Sequence, residues 1–173
     1  DGVLDHPDST DHNDNIELAF GVTASDADGD TADGTITVNV LDDGPVLSDS
    51  ALLHAYESAT HSGPVTINGS LAADFGEDGA GSVNADGNFN SSIPLTSGGD
   101  TVSISLTGDT YTGHTATDII FVLQVNPDGT FEFTLLGGLD HDIGSNRIIL
   151  EFGALITDFD GDTDPATIKI KVR

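Results

Sequence analysis

This chain of 173 residues has no cysteine, no methionine and no tryptophan, and only four basic side chains. Without cysteine there can be no disulfide, no thiolate metal site and no thiol catalysis. The missing methionine, including at position 1, points to a piece of a longer polypeptide. No stretch approaches the roughly 18 apolar residues of a membrane span. Lys and Arg occur only as Arg147, Lys169, Lys171 and Arg173, against 30 acids. Just five of those acids are glutamates: Glu17, Glu57, Glu77, Glu132 and Glu151. A formal charge of −26 repels phosphate backbones and anionic headgroups, which argues against nucleic acid and against direct membrane insertion.

Four cations cannot offset 30 carboxylates. Either the acidic surface is solubilising or salt-adapted, or bound cations supply the missing charge. Short Asp side chains on Gly-rich loops are ligands for hard cations, and that second reading points to Ca²⁺.

What the sequence does contain is alternation. Apolar residues recur at every second position through Ile16–Ala24, Ile36–Val40, Val102–Leu106, Phe121–Val125, Phe131–Leu135, Ile148–Ile156 and Ile168–Val172. Period two with β-branched and aromatic residues predicts half-buried antiparallel strands. Asn126-Pro127-Asp128-Gly129 predicts the turn of a hairpin. No long helical periodicity is present, so the expectation is an all-β chain.

Residues 15–40 align with 147–172 at a constant offset of 132, with 12 of 26 positions identical. Ile16, Leu18, Phe20, Val22 and Ala24 fall on Ile148, Leu150, Phe152, Ala154 and Ile156. A repeat of about 130 residues is the size of a whole β-sandwich. The chain therefore divides into 1–45 and 46–173. The first part carries the C-terminal strands of a preceding repeat, or the first part of a split domain, and ends in an acidic joint at Leu41–Pro45. The second is one complete β-sandwich repeat. A lone two-stranded ribbon is marginal in water, so residues 1–40 are expected to pack on the rest of this chain or on a neighbour.

The hexapeptide Asp-x-Asp-Gly-Asp-Thr occurs at 26–31 and again at 158–163. Carboxylates at i, i+2 and i+4 with Gly in the turn can converge on one hard cation, as in the front half of an EF-hand loop. The candidate ligands are Asp26, Asp28 and Asp30 in one copy and Asp158, Asp160 and Asp162 in the other. A metal-free turn also favours Asp and Gly, and that alternative stays open. Asp42 and Asp43 at the joint, with Glu57 soon after, form a second candidate cluster; the alternative is an acidic linker extended by self-repulsion. Asp5 and Asp140, in the Leu-Asp-His pairs, are further candidates. The acidic, Gly-rich Asp74–Gly81 segment is either a surface loop or a contact for a cation or sugar.

Gly-x-Ser-x-Gly, His-Glu-x-x-His and Gly-Lys-Ser/Thr are all absent, so the expectation is no enzyme.

Val125–Leu136 followed by Leu139-Asp140-His141, the Asp158–Thr163 hexapeptide, and Thr23–Val38 ending in Asp42-Asp43-Gly44-Pro45 resemble the repeats of giant RTX adhesins exported by type I secretion. They share part of the pattern of the Vibrio–Colwellia–Bradyrhizobium–Shewanella repeat class. The resemblance implies tandem, Ig-like, antiparallel β-sandwiches with calcium-binding loops, whose partners are neighbouring repeats of the same polypeptide. It implies a secreted protein on the surface of a Gram-negative bacterium, acting as a calcium-stabilised extender in adhesion or biofilm formation. The alternative is a calcium-dependent module that binds a glycan or peptide. Few aromatics are available to stack on sugars: the tyrosines are Tyr56 and Tyr111.

Overall fold

Side chains that alternate in polarity satisfy a strand buried on one face, and in the computed structural model most of the described chain is strand. The structure describes residues 15–41, 43–77 and 79–173. In chain order the strands begin with β1 (Asn15–Ser25), β2 (Thr31–Leu41), β3 (Val46–Ser48) and β4 (Leu53–Ala55). A short 3-10 turn at Glu57–Ser62 leads to β5 (Val65–Ser70), β6 (Ala72–Asp74) and β7 (Ser82–Ser91). Next come β8 (Thr96–Ser97), β9 (Asp100–Thr101), β10 (Ser103–Thr107) and β11 (Thr110–His114). The last are β12 (Ile119–Val125), β13 (Thr130–Leu135), β14 (Ile148–Thr157) and β15 (Thr163–Val172). The all-β expectation holds. No helix among the described residues is long and apolar enough to cross a membrane.

Two larger sheets carry the core. One has the order β10-β11-β12-β13-β5 and the other β4-β15-β14-β7. Pairing is antiparallel throughout except at one edge. There β4 runs parallel to β15, with Ile170, Lys171 and Val172 opposite Leu53, His54 and Ala55, so the second sheet is mixed and not purely antiparallel as expected. Amides continue that edge: Arg173 N donates to Ala55 O at 2.9 Å and Glu57 N to Arg173 O at 2.7 Å.

The inward faces of the two sheets share one cluster of buried side chains. Phe152 of β14 sits in its middle. Its ring centroid lies 5.3 Å from Tyr111, 5.9 Å from Phe121 and 6.2 Å from Phe133, all on the facing sheet, and 5.1 Å from Phe89 of β7. Offset and edge contacts of this kind add to the burial of the rings themselves. Tyr111 is buried too, and its polar tip is satisfied: the hydroxyl donates to Gly153 O at 2.8 Å and accepts from Gly87 N at 2.9 Å. Burial pushes the Tyr111 phenol up to about 12.

The Asn126–Gly129 turn forms as expected between β12 and β13. Gly129 N donates to Asn126 O, Asn126 N to Thr130 O, and Thr130 N to the Asp128 carboxylate.

β1 and β2 stand apart from all this. Among the described residues they pair only with each other, as a two-stranded ribbon, and none of their residues joins the core cluster. Their register nevertheless repeats that of β14 and β15 position for position. Phe20 faces Ile36 as Phe152 faces Ile168, and Ser25 faces Thr31 as Thr157 faces Thr163. The same face that is sealed in one hairpin is open in the other, with Phe20 52% and Ile36 53% exposed.

Phe152→Ala is expected to cost about 3–5 kcal/mol in urea denaturation, because it empties the centre of the core. Phe20→Ala, at the equivalent position of the open ribbon, is expected to change the stability of the same chain by less than about 0.5 kcal/mol.

Candidate metal centre

Thr157 ends β14 and Thr163 opens β15, leaving Asp158–Asp162 to reverse the chain. Asp158 does the shaping. Its Oδ1 accepts from Gly161 N at 3.0 Å and Asp162 N at 2.8 Å, while its own amide donates to Asp162 O at 3.1 Å. Gly161 takes φ +107°, a left-handed value that side chains resist. Alternating residues at 158, 160 and 162 then bring one carboxylate oxygen each to within 4.8 Å of one another.

This turn is partly buried, with Phe159 75% exposed at its tip. Asp158 is 5% exposed and Asp162 2%. The Gly79–Gly81 backbone packs against the start of the turn, so close that a Cβ on Gly81 would sit 1.7 Å from Thr157 O. The Asp158 Oδ2 and Asp160 Oδ1 atoms are buried without a hydrogen-bond donor. Burial, followed by the neighbouring Asp160 carboxylate, raises the pKa of Asp158 above the usual carboxylate range. Concentrated negative charge in a place poor in water is unfavourable unless something positive meets it.

The first hairpin builds the same turn in the open. Asp26 Oδ1 accepts from Gly29 N at 3.1 Å and Asp30 N at 2.9 Å, its amide donates to Asp30 O at 3.0 Å, and Gly29 has φ +99°. Asp26, Asp28 and Asp30 also bring their oxygens within 4.8 Å of one another, but all three are exposed. Here the Asp28 side chain, then the Asp30 amide, hold the Asp26 carboxyl below its ordinary range. One turn geometry thus occurs in two settings, with its carboxylates exposed in the first hairpin and two of the three buried in the second.

An all-oxygen donor set with unanswered carboxylate oxygens fits a hard cation. Ca²⁺ takes six to eight oxygens at about 2.3–2.6 Å, so each trio would contribute three ligands and leave the rest to carbonyls or water. Among the described residues these two trios are the places where three or more His, Asp or Glu ligand atoms come together.

The other sequence candidates go elsewhere. Asp42 and Asp5 lie outside the described residues. Asp43 Oδ2 accepts from Glu77 N at 3.2 Å, and a Cβ on Gly76 would meet Asp43 O at 2.0 Å, so the joint packs on the Gly76–Glu77 loop. Glu57 accepts from Leu139 N at 2.6 Å and pairs with His141 Nε2 at 3.0 Å. Asp140 accepts from Gly98 N and Gly99 N at 3.0 and 2.7 Å, and those amides, Gly99 first, lower its pKa. Glu57 and Asp140 thus each tie a loop to another segment and join neither trio. Acid side chains beside Gly-rich turns suit both roles, and Asp26 and Asp158 accept turn amides as well.

Sequence reasoning missed two features. One is the packing segment at Gly79–Gly81, whose only signal was its glycines. The other is a groove of about 370 Å³ beside β7, lined by Asp49, Asp86, Asn88, Asn90 and Glu151 among others. Its residues come from distant segments and form no motif.

No protein-family model matches this chain, and no curated protein matches it.

Asp158→Ala is expected to lower stability in EDTA by about 1–2 kcal/mol, since it removes the acceptor of two turn amides. Asp160→Ala in EDTA is expected to leave stability unchanged or slightly raised, because it removes charge from beside Asp158. Thermal melts of both variants at neutral pH check the contrast.

Proposed function

We propose that this chain is a calcium-stabilised structural module, an extender, of a secreted adhesin of the RTX type on a Gram-negative cell surface. Its role is mechanical, with no turnover: it holds spacing and stiffness in support of adhesion or biofilm formation. The reading of 46–173 as an Ig-like sandwich belongs to this proposal and rests on the sequence resemblance together with two sheets that share one core.

The observation that carries it is the Asp158–Asp162 turn, where three carboxylates converge and the Asp158 Oδ2 and Asp160 Oδ1 atoms are buried without a donor. A chain with 30 acids and four bases has little of its own charge to spend there. Extracellular calcium modules bind at about 10⁻⁴–10⁻³ M, so millimolar calcium outside a cell fills them and cytosolic calcium does not. Before export the acidic chain would stay loosely folded; after export the cation would lock the turns.

A second reading is favoured by the groove on the β4-β15-β14-β7 sheet, whose carboxylates and amides suit hydroxyl-rich ligands. A glycan array with calcium present separates the two: the extender reading expects no hits.

Melts followed by circular dichroism in EDTA, then in calcium to about ten times Kd, are expected to rise by about 3–6 °C per filled site. Magnesium at equal ionic strength should give much less. Asp160→Asn with Asp162→Asn should remove the increment of the Asp158–Asp162 site. A rise that any salt reproduces would reduce both hexapeptides to turns on a salt-adapted surface.

A further inference from the structure

The open ribbon β1–β2 has one apolar face and one polar face. Ile16, Leu18, Phe20 and Val22 with Ile36, Val38 and Val40 share the first; Glu17, Ala19, Thr23, Thr35, Thr37 and Asn39 alternate onto the second. The repeat shows what such a face is built to meet. In β14–β15 the equivalent residues Ile148, Leu150, Phe152, Ile168, Ile170 and Val172 are fully buried. That hairpin is held by β7 along the free edge of β14 and by β4 along the free edge of β15.

A glycine supplies an independent mark. Gly153 is confined: a Cβ there would lie 2.1 Å from the Asp86 carboxylate, its carbonyl accepts from the Tyr111 hydroxyl, and the β7 register shifts beside it. Its counterpart in the repeat is Gly21, where a Cβ would meet nothing within 4 Å. Glycine in a strand interior weakens the strand and usually marks a close approach. Nothing in the open ribbon approaches Gly21, so the approach it accommodates lies in the bound state.

We infer that β1–β2 is the closing hairpin of a second β-sheet sandwich of this same kind, one whose slot between a β7-like and a β4-like strand is vacant. In that slot Phe20 enters an aromatic cluster like that around Phe152, and Gly21 lies against a carboxylate on the bulged strand. A second copy of this chain does not qualify, because its own β14–β15 fills the slot. The interface is one of shape and backbone pairing and does not depend on the proposal that the acidic turns take calcium.

The test joins a vacant acceptor to the intact chain. Residues 46–135 are fused ahead of residues 1–173, so that β1–β2 follows the acceptor as β14–β15 follows it in the natural order. Amide hydrogen exchange is read in EDTA and again in calcium, beside the unfused chain. Relative to that chain, the amides of 15–41 are expected to slow by about 100-fold or more. Gly21→Val or Phe20→Asp should abolish the slowing in the fusion while leaving exchange in β14–β15 untouched.

A control carries residues 136–173 in place of residues 1–41 behind the same acceptor, and so contains the native sandwich. A protected control beside an unprotected β1–β2 overturns the inference. So does an unfused chain that dimerises by light scattering with 15–41 already protected, since the face would then belong to a second copy. Loss of all calcium effect on melting, with the fusion still protected, would sink the calcium reading alone.

Discussion

Apolar burial between two sheets has to hold together a surface that repels itself. With four cations against 30 carboxylates, ion pairing contributes little: Lys169 meets Asp49 and His141 meets Glu57, both near the surface. The stabilising load therefore falls on the interior, and the aromatic cluster around Phe152 is its centre. The carboxylates are displaced to turns, where many of them accept from backbone amides. Asp26, Asp128, Asp140 and Asp158 each close a reversal of the chain in this way. An acid that caps amides is useful whether or not a cation is present, so Asp abundance alone does not count metal sites.

The elements that were legible in the sequence are those whose polarity alternates over five or more residues, whether that face is buried or, as in β1 and β2, open. β12, β13, β14 and β15 are buried at every second position, and their pattern survives in the string of letters. β7 was not legible. It reads Ser-Val-Asn-Ala-Asp-Gly-Asn-Phe-Asn-Ser, and its place comes from the ladder to β14 and from Asp109, which accepts from Ala85 N at 3.0 Å. The strands of two or three residues are too short to show any period, and the parallel edge β4–β15 joins segments more than 110 residues apart. No local signal encodes such a pairing.

The site divides in the same way. Spacing at i, i+2 and i+4 made both Asp trios visible, and the structure gathers both. Their different surroundings were invisible, since they depend on what packs beside each turn, as the Gly79–Gly81 backbone does at Thr157 and Asp158. Asp43, Glu57 and Asp140 were visible as acids in suggestive places. Which amides they face is a matter of tertiary approach, and that is where the residue pattern stops being informative.

The division of labour within Asp158 has a further consequence. One oxygen accepts the two amides that close the turn, and the other is buried without a donor. Truncating that one side chain therefore withdraws two hydrogen bonds and a buried negative charge together, so the shape of the turn and its charge cannot be altered separately by truncation at this position.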